Sequence, residues 1–282
     1  MLQINPRLEG RTAVITGGSG GLGAAMAREL ARQGVKVAIL GRNVEKSQAL
    51  VDEIEGAGGR ALAVPCDVLK VEEVLAAEER ISEVFGPYQI LINGAGGNHP
   101  QAITTEEILR KGDILDPEVL SYFDIPVEAF KYTLELNLVG SWIPTQVFTR
   151  HMLRAKGAIV INISSMSSPR PMTKVAGYSA GKAAIDNLTK WLAVHLAPVG
   201  IRVNAIAPGF FLTSLNQRLL QNEDGSPTAR ARKILSHTPM GRFGQPEELL
   251  GTLLWLLDEE ASGFVTGITV PVDGGFLAYS GV

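Results

Sequence analysis

TAVITGGSGGLG, residues 12–23, sets a short apolar, β-branched run directly before a cluster of glycines, and residues 24–33 then continue with helical character. Strand, glycine turn and helix in that order form a dinucleotide-binding unit. The glycines let the backbone approach a pyrophosphate, and the helix N-terminus offers free N–H groups and a positive dipole end. Gly18, Gly20 and Gly23 satisfy G-x-G-x-x-G, while Thr16, Gly17, Gly21 and Gly23 satisfy T-G-x-x-x-G-x-G. A merely flexible glycine loop would explain neither the strand before it nor the helix after it. Thr16, Gly17, Ser19, Gly20, Gly21, Leu22 and Gly23 are therefore the expected cofactor contacts at this turn.

Outward from this unit, VKVAIL at 35–40 reads as a second strand whose end faces the adenosine ribose. A site for NAD usually places an acidic residue there to hold the ribose 2′-hydroxyl. This chain has Gly41, Arg42 and Asn43 instead. A guanidinium beside neutral residues suits a 2′-phosphate, so NADP(H) is the expected preference, with NAD(H) the alternative. A helix at 45–57 and a strand at 61–65 follow; Asp67 and Val68, just past that strand, are expected beside the adenine. A helix at 71–85 leads to a buried strand at 90–92, which runs into Asn93-Gly-Ala-Gly-Gly97. The alternation predicts an α/β fold: one Rossmann-type, doubly wound parallel sheet of about seven strands.

The second half of the chain continues the pattern with two departures. Residues 98–125 are charged, contain Pro100 and Pro117, and separate the strand from a helix at 129–153. A connection this long is uncommon without a task such as a lid or a binding loop. Asn98 and His99 stand at its start, where a histidine beside proline reads equally as a surface turn residue. A strand at 158–163 ends in Ser164 and Ser165 and is followed by a loop carrying Arg170. A strand at 201–206 ends in Ala-Pro208-Gly209. The segment 213–239 mixes Asn216, Gln217 and Arg218 with apolar residues and reads as a helical cap over the substrate side. An amphipathic stretch at 247–257 and a last strand at 264–270 complete the series.

Tyr178 and Lys182 in YSAGK are four residues apart, and the apolar pattern after them is helical, so both heads project from one helix face. A fixed cation near a phenol is expected to lower its pKa from about 10 towards the working range, making it a proton donor and acceptor. Taken alone, the five residues fit an ordinary amphipathic helix as well.

Size and charge exclude several classes. The chain has 282 residues, 45% of them hydrophobic and 20% charged, enough for one large core, so 1–282 is expected to form a single domain. A net charge of -3 and the absence of any Lys/Arg block argue against nucleic acid as a partner. Cys66 alone makes neither an internal disulfide nor a zinc site, so no metal is expected and a reducing cytoplasm fits. The N-terminus lacks a signal-peptide core, and no apolar run approaches the roughly 20 residues of a membrane span.

Together these pieces resemble the classical short-chain dehydrogenase/reductases almost end to end. The resemblance assigns Thr16, Gly17, Gly21 and Gly23 to the cofactor phosphates and Asn93, Ala95 and Gly96 to the adenosine side, with Gly94 a one-letter departure. It assigns Pro208, Gly209 and Thr213 to the nicotinamide, and Asn137, Ser165, Tyr178 and Lys182 to catalysis. Ser165 would steady the substrate oxygen, Tyr178 would exchange the proton, Lys182 would hold the nicotinamide ribose, and Asn137 would anchor a water. Within the family, GGNHP at 96–100, the long insertion and the tail DGGFLAYSGV are similar to the mannonate/fructuronate reductases. The implied activity is reversible NAD(P)-dependent interconversion of a ketone and a secondary alcohol on a small molecule such as a sugar acid. Asn98, His99, Ser165 and Arg170 are the substrate candidates, and a homotetramer is the implied assembly. The alternatives are a reductase of another carbonyl, such as a ketogluconate, a 3-oxoacyl thioester or a polyol-type substrate, and a cofactor-sensing scaffold that performs no chemistry.

Overall fold

In a computed structural model that describes residues 2–153, 155–213 and 220–281, seven strands lie side by side in one parallel sheet. They are β1 (Thr12–Thr16), β2 (Lys36–Gly41), β3 (Arg60–Pro65), β4 (Ile90–Asn93), β5 (Ile159–Ile163), β6 (Arg202–Pro208) and β7 (Thr269–Val272). Their order is β3-β2-β1-β4-β5-β6-β7. The chain winds outward from β1 in one direction, then returns to place β4 on its other side. Thr16 at the end of β1 thus pairs with Leu40 on one side and Asn93 on the other. That reversal opens a crevice at the carboxyl ends of β1 and β4, the place where open α/β sheets bind ligands.

Strands buried on both faces read as near-continuous apolar runs, and TAVIT, VKVAIL and IVINI are such runs, each broken by only one or two polar residues. Ala13, Ile15, Ile90, Ile92, Ile159 and Ile161 point to the face covered by α1 (Gly21–Arg32) and by the helix Leu250–Leu257. Val14, Leu91 and Val160 point the other way, onto α3 (Val71–Phe85), α5 (Gly140–Met152) and α6 (Ala176–Leu196). Helix α2 (Val44–Gly56) joins the first layer through Leu50, Val51 and Ile54. Cys66 is buried, and burial pushes its thiol up to about 12, which leaves it protonated and inert.

Several boundaries differ from the sequence reading for identifiable reasons. Helix α1 begins at Gly21 rather than at residue 24, because the extended Gly20 acts as its N-cap and the glycines themselves form the first turn. The expected helix at 129–153 is α4 (Val127–Leu134), then a π turn at Glu135–Val139, then α5. The last strand starts at Thr269, five residues later than expected: Phe264 is fully exposed, Gly267 takes φ +81°, and pairing with β6 begins at Ala205 opposite Thr269.

The insertion at 98–125 folds as three short 3-10 turns, Pro100–Ala102, Asp113–Leu115 and Tyr122–Asp124. It closes on itself where Thr105 N donates to Leu120 O at 2.8 Å and Leu120 N to Thr105 Oγ1 at 2.9 Å. In the cap segment, Asn216, Gln217 and Arg218 lie outside the described residues. Its described part contains a helix, α7 (Ala229–Ser236), whose Thr228 cap accepts from Ala231 N at 3.2 Å. No helix among the described residues is long and apolar enough to cross a membrane.

Candidate active site

The glycine turn is shaped by what it must approach. A Cβ at Gly21 would lie 2.8 Å from the Thr213 side chain, and one at Gly23 would lie 2.5 Å from Gly17 O. Gly17 takes φ +64° and passes within the same close range of Ala95 and Gly94. Helix α1 has no side-chain cap and no acidic residue in its first turn, so its leading N–H groups are left for an anion. A groove lined by Ser19, Gly20, Gly21, Lys46, Leu212 and Thr213 runs past this N-terminus. These features fit a dinucleotide pyrophosphate.

Not every expected contact faces this groove. The Thr16 hydroxyl accepts from Gly94 N at 3.1 Å and Ala95 N at 3.2 Å, so it ties β1 to the turn after β4. Asn93 is buried and donates to Thr145 Oγ1 and Asn162 Oδ1, both at 2.8 Å, so its side chain pins β4 to its neighbours. Asn43 caps α2, accepting from Lys46 N at 2.7 Å. Arg42 lies exposed at the end of β2 and donates to the Tyr132 hydroxyl at 3.2 Å. Asp67 accepts from Leu69 N at 3.1 Å, and the buried Val68 packs against Gly140, where a Cβ would come within 3.0 Å of it. Gly209 N donates to Val272 O at 2.8 Å and Pro208 O accepts from Met166 N at 3.1 Å, which fastens this segment between the serine loop and β7.

On the substrate side, Ser165, Tyr178, Lys182 and Asn137 come together from three elements. Ser165 is 5% exposed; its Oγ accepts from Ser167 N at 3.1 Å, and its hydroxyl is near enough to the Tyr178 phenol to oppose the rise in that phenol's pKa. Lys182, one turn after Tyr178 on α6, is 4% exposed, donates to Ile163 O at 2.7 Å and lies 5.7 Å from the centre of the Tyr178 ring. Asn137 sits in the π turn. A π turn reaches back five residues, so the carbonyl four residues back is free for a side chain, and Asn137 Nδ2 donates to Thr133 O at 2.8 Å. The same amide donates to Gly97 O at 2.7 Å and accepts from Gly97 N at 3.2 Å, so its side chain anchors the β4 loop. Gly96 and Gly181 make the convergence sterically feasible: a Cβ at 96 would lie 2.7 Å from Asn137 Oδ1, and one at 181 would lie 2.9 Å from Asn137 Cβ.

Burial pushes the Tyr178 phenol above its ordinary value, and the Ser165 hydroxyl offsets this only in part. Burial lowers Lys182 itself to about 8, with the charge of Asp186 opposing the drop.

Of the substrate candidates, Asn98 has its Oδ1 buried with no hydrogen-bond partner. His99 caps the first 3-10 turn, with Nδ1 accepting from Gln101 N at 3.3 Å, and its ring meets Tyr132 edge-on at 5.7 Å. Arg170 donates to Tyr279 O at 2.9 Å and so holds the C-terminal tail.

With this geometry in view, comparison with known proteins is decisive. A family model described as short chain dehydrogenase matches residues 11–224. The chain belongs to the short-chain dehydrogenase family. The sequence of this dehydrogenase is 57% identical over 282 residues, the whole of both chains, to an uncharacterized oxidoreductase, UxuB, of Bacillus subtilis strain 168. It is 32% identical over 272 residues, 96% of each chain, to the 5-keto-D-gluconate 5-reductase of Escherichia coli K12. A Haemophilus influenzae protein provisionally named a D-mannonate oxidoreductase, solved with bound NAD, superposes with a TM-score of 0.94 at 47% identity over 98% of both chains. The dehydrogenase is thus an oxidoreductase acting on CH-OH groups, with an α/β Rossmann-type sheet.

Two residues of this dehydrogenase's site escaped the sequence reading. The Asp186 carboxylate accepts from Ser164 Oγ at 2.6 Å, from Thr269 Oγ1 at 3.1 Å and from the Ser168 hydroxyl, so it braces both ends of the serine turn. Its place one turn after Lys182 on the same helix face was the available signal. Lys174, at φ +72°, is the one non-glycine residue with positive φ among the described residues. Its carbonyl accepts from Thr104 N at 3.0 Å and its ammonium donates to Thr105 O at 2.5 Å, which clamps the insertion onto the loop before Tyr178. Nothing in the local sequence marks it.

Proposed function

We propose that this dehydrogenase reduces the ketone of a sugar acid to a secondary alcohol, with NADP(H) preferred and NAD(H) as the alternative. The observation that carries the reading is the Ser165–Tyr178 hydroxyl pair, backed by the buried Lys182 and reached from the hydrophilic insertion. The E. coli ketogluconate reductase and the Haemophilus oxidoreductase support the substrate class.

The groove at the α1 N-terminus would hold the pyrophosphate, with Pro208, Gly209 and Thr213 flanking the nicotinamide end. When bound, the dinucleotide supplies the hydride. The chain's own residues handle the oxygen and its proton. Ser165 donates a hydrogen bond to the substrate oxygen and fixes its place. Tyr178, protonated at neutral pH, gives its proton to that oxygen as negative charge develops there. Lys182 keeps a positive charge behind the phenol at neutral pH and stabilises the phenolate left after transfer. Asn98 Oδ1 is an acceptor for a substrate hydroxyl. Trp142 and Trp191, exposed on α5 and α6 with rings 6.3 Å apart, support an assembly of several copies such as a homotetramer.

Oxidation of NADPH and NADH against fructuronate, tagaturonate, 5-ketogluconate and simple ketones tests the substrate class. Turnover confined to acyl thioesters or simple ketones would remove it. For the cofactor, Arg42→Asp should lower kcat/KM for NADPH at least tenfold relative to NADH; an unchanged ratio would take Arg42 out of the recognition of a 2′-phosphate.

A further inference from the structure

Three segments from distant parts of the chain enclose a cavity beside the serine loop. The insertion contributes Glu107, the loop before Tyr178 contributes Arg170 and Met172, and α7 contributes Arg230 and Lys233, with Phe210 at the base. Two contacts tie the lining of the cavity to the elements that carry the site. Met172 N donates to Ser179 Oγ at 3.2 Å, one residue from Tyr178. Phe210 directly follows Pro208 and Gly209, the segment fastened to Met166 of the serine loop.

The charges are unbalanced. Three cations, Arg170, Arg230 and Lys233, meet one carboxylate, Glu107. Glu107 is already ion-paired with Lys233, and that bond, then the charges of Lys233, Lys174 and Arg230, hold it below the usual carboxylate range. Arg170 spends one N–H on a neutral carbonyl, and Arg230 makes no hydrogen bond among the described residues. A guanidinium with open N–H groups binds a carboxylate in two-point fashion.

We propose that this cavity is a carboxylate subsite, in which Arg170 and Arg230 bind the acid group of the substrate while the Lys233–Glu107 pair joins α7 to the insertion over it. The proposal rests on the sugar-acid reading above and names where that acid is held. Phe210 and Met172 add apolar surface to the lining.

The test measures kcat and KM of the full-length enzyme on a keto-uronate and on the neutral ketose of equal chain length, for wild type, Arg230→Gln and Arg170→Gln. Each variant should raise KM for the acid by on the order of 10- to 100-fold, the loss expected of a charge-assisted hydrogen bond, with kcat retained and the neutral ketose changed less than about twofold. Added salt should raise the wild-type KM for the acid alone. A wild-type preference for the acid that survives both substitutions overturns the subsite and leaves the sugar-acid reading standing. Equal losses on acid and neutral substrates overturn it as well, because the arginines then act on the fold. A wild type that does not favour the acid defeats the sugar-acid reading itself and the subsite with it. Melting temperatures of the variants separate a loss of fold from a loss of binding, and since Arg230 is exposed at the start of α7, its variant keeps the test open if Arg170→Gln disturbs the tail it holds.

Discussion

At Lys182 two requirements conflict. The residue is buried, which favours the neutral amine, yet its place behind Tyr178 calls for a charge. The balance sets its pKa at about 8. Below that value the ammonium is present; above it the charge is lost, while Tyr178, pushed upward, keeps its proton through the same range. The pH profile of kcat/KM for ketone reduction should therefore fall with an apparent pKa of about 8, assigned to Lys182; a flat profile through that region would detach Lys182 from the reaction. Stability has the opposite trend. The folded pKa lies below the ordinary lysine value of 10.5, so between about 8 and 10.5 the unfolded chain binds more protons and this group's contribution to stability rises with pH. The spacing of Tyr178 and Lys182 was legible in YSAGK, but the direction of the phenol's shift was not, because it depends on desolvation by residues distant in sequence.

Among the elements, α6 carries the most chemistry. Over three turns of one face it presents Tyr178 and Lys182, to which the proposed mechanism gives proton exchange and charge, and Asp186, which braces the Ser164–Ser168 turn. Asp186→Asn removes the charge that opposes the drop in Lys182 and weakens the hold on Ser164 and Ser168. It should lower kcat by about tenfold, a loss the size of one or two hydrogen bonds, and move the alkaline limb below its wild-type position near about 8. Reduced kcat with an unmoved limb would leave Asp186 a purely structural brace. The helical period identified α6, whereas the π turn at Glu135–Val139 went unseen: its sequence, ELNLV, has nothing that distinguishes it from an α-helix. The bulge persists because the Asn137 side chain takes up the Thr133 carbonyl and, through Gly97, the loop after β4.

Across the whole molecule, a buried polar thread crosses the sheet. Asn93 on β4 bonds Thr145 on α5 and Asn162 on β5, and Asn162 Nδ2 donates to Thr189 on α6 at 2.9 Å. Asn93→Ala should cost about 1–3 kcal/mol of stability, read as a lower urea midpoint, with dinucleotide affinity kept. Lost affinity at unchanged stability would return Asn93 to the cofactor site. The chain alone determined the sheet, the glycine turn and the helical spacing of Tyr178 and Lys182, while Ser165 was named through the family resemblance. The first three are written in local period and spacing, and only glycine tolerates the close approach at Gly17, Gly21 and Gly23. Tertiary structure alone decided that Thr16 bonds the turn after β4 and Asn93 bonds Thr145 and Asn162, that Asp186 reaches Ser164 across 22 residues, and that cations from 170, 230 and 233 meet over one cavity. Hydrogen bonds, burial and charge act through space, and distances in space are set only once the sheet has brought these segments together.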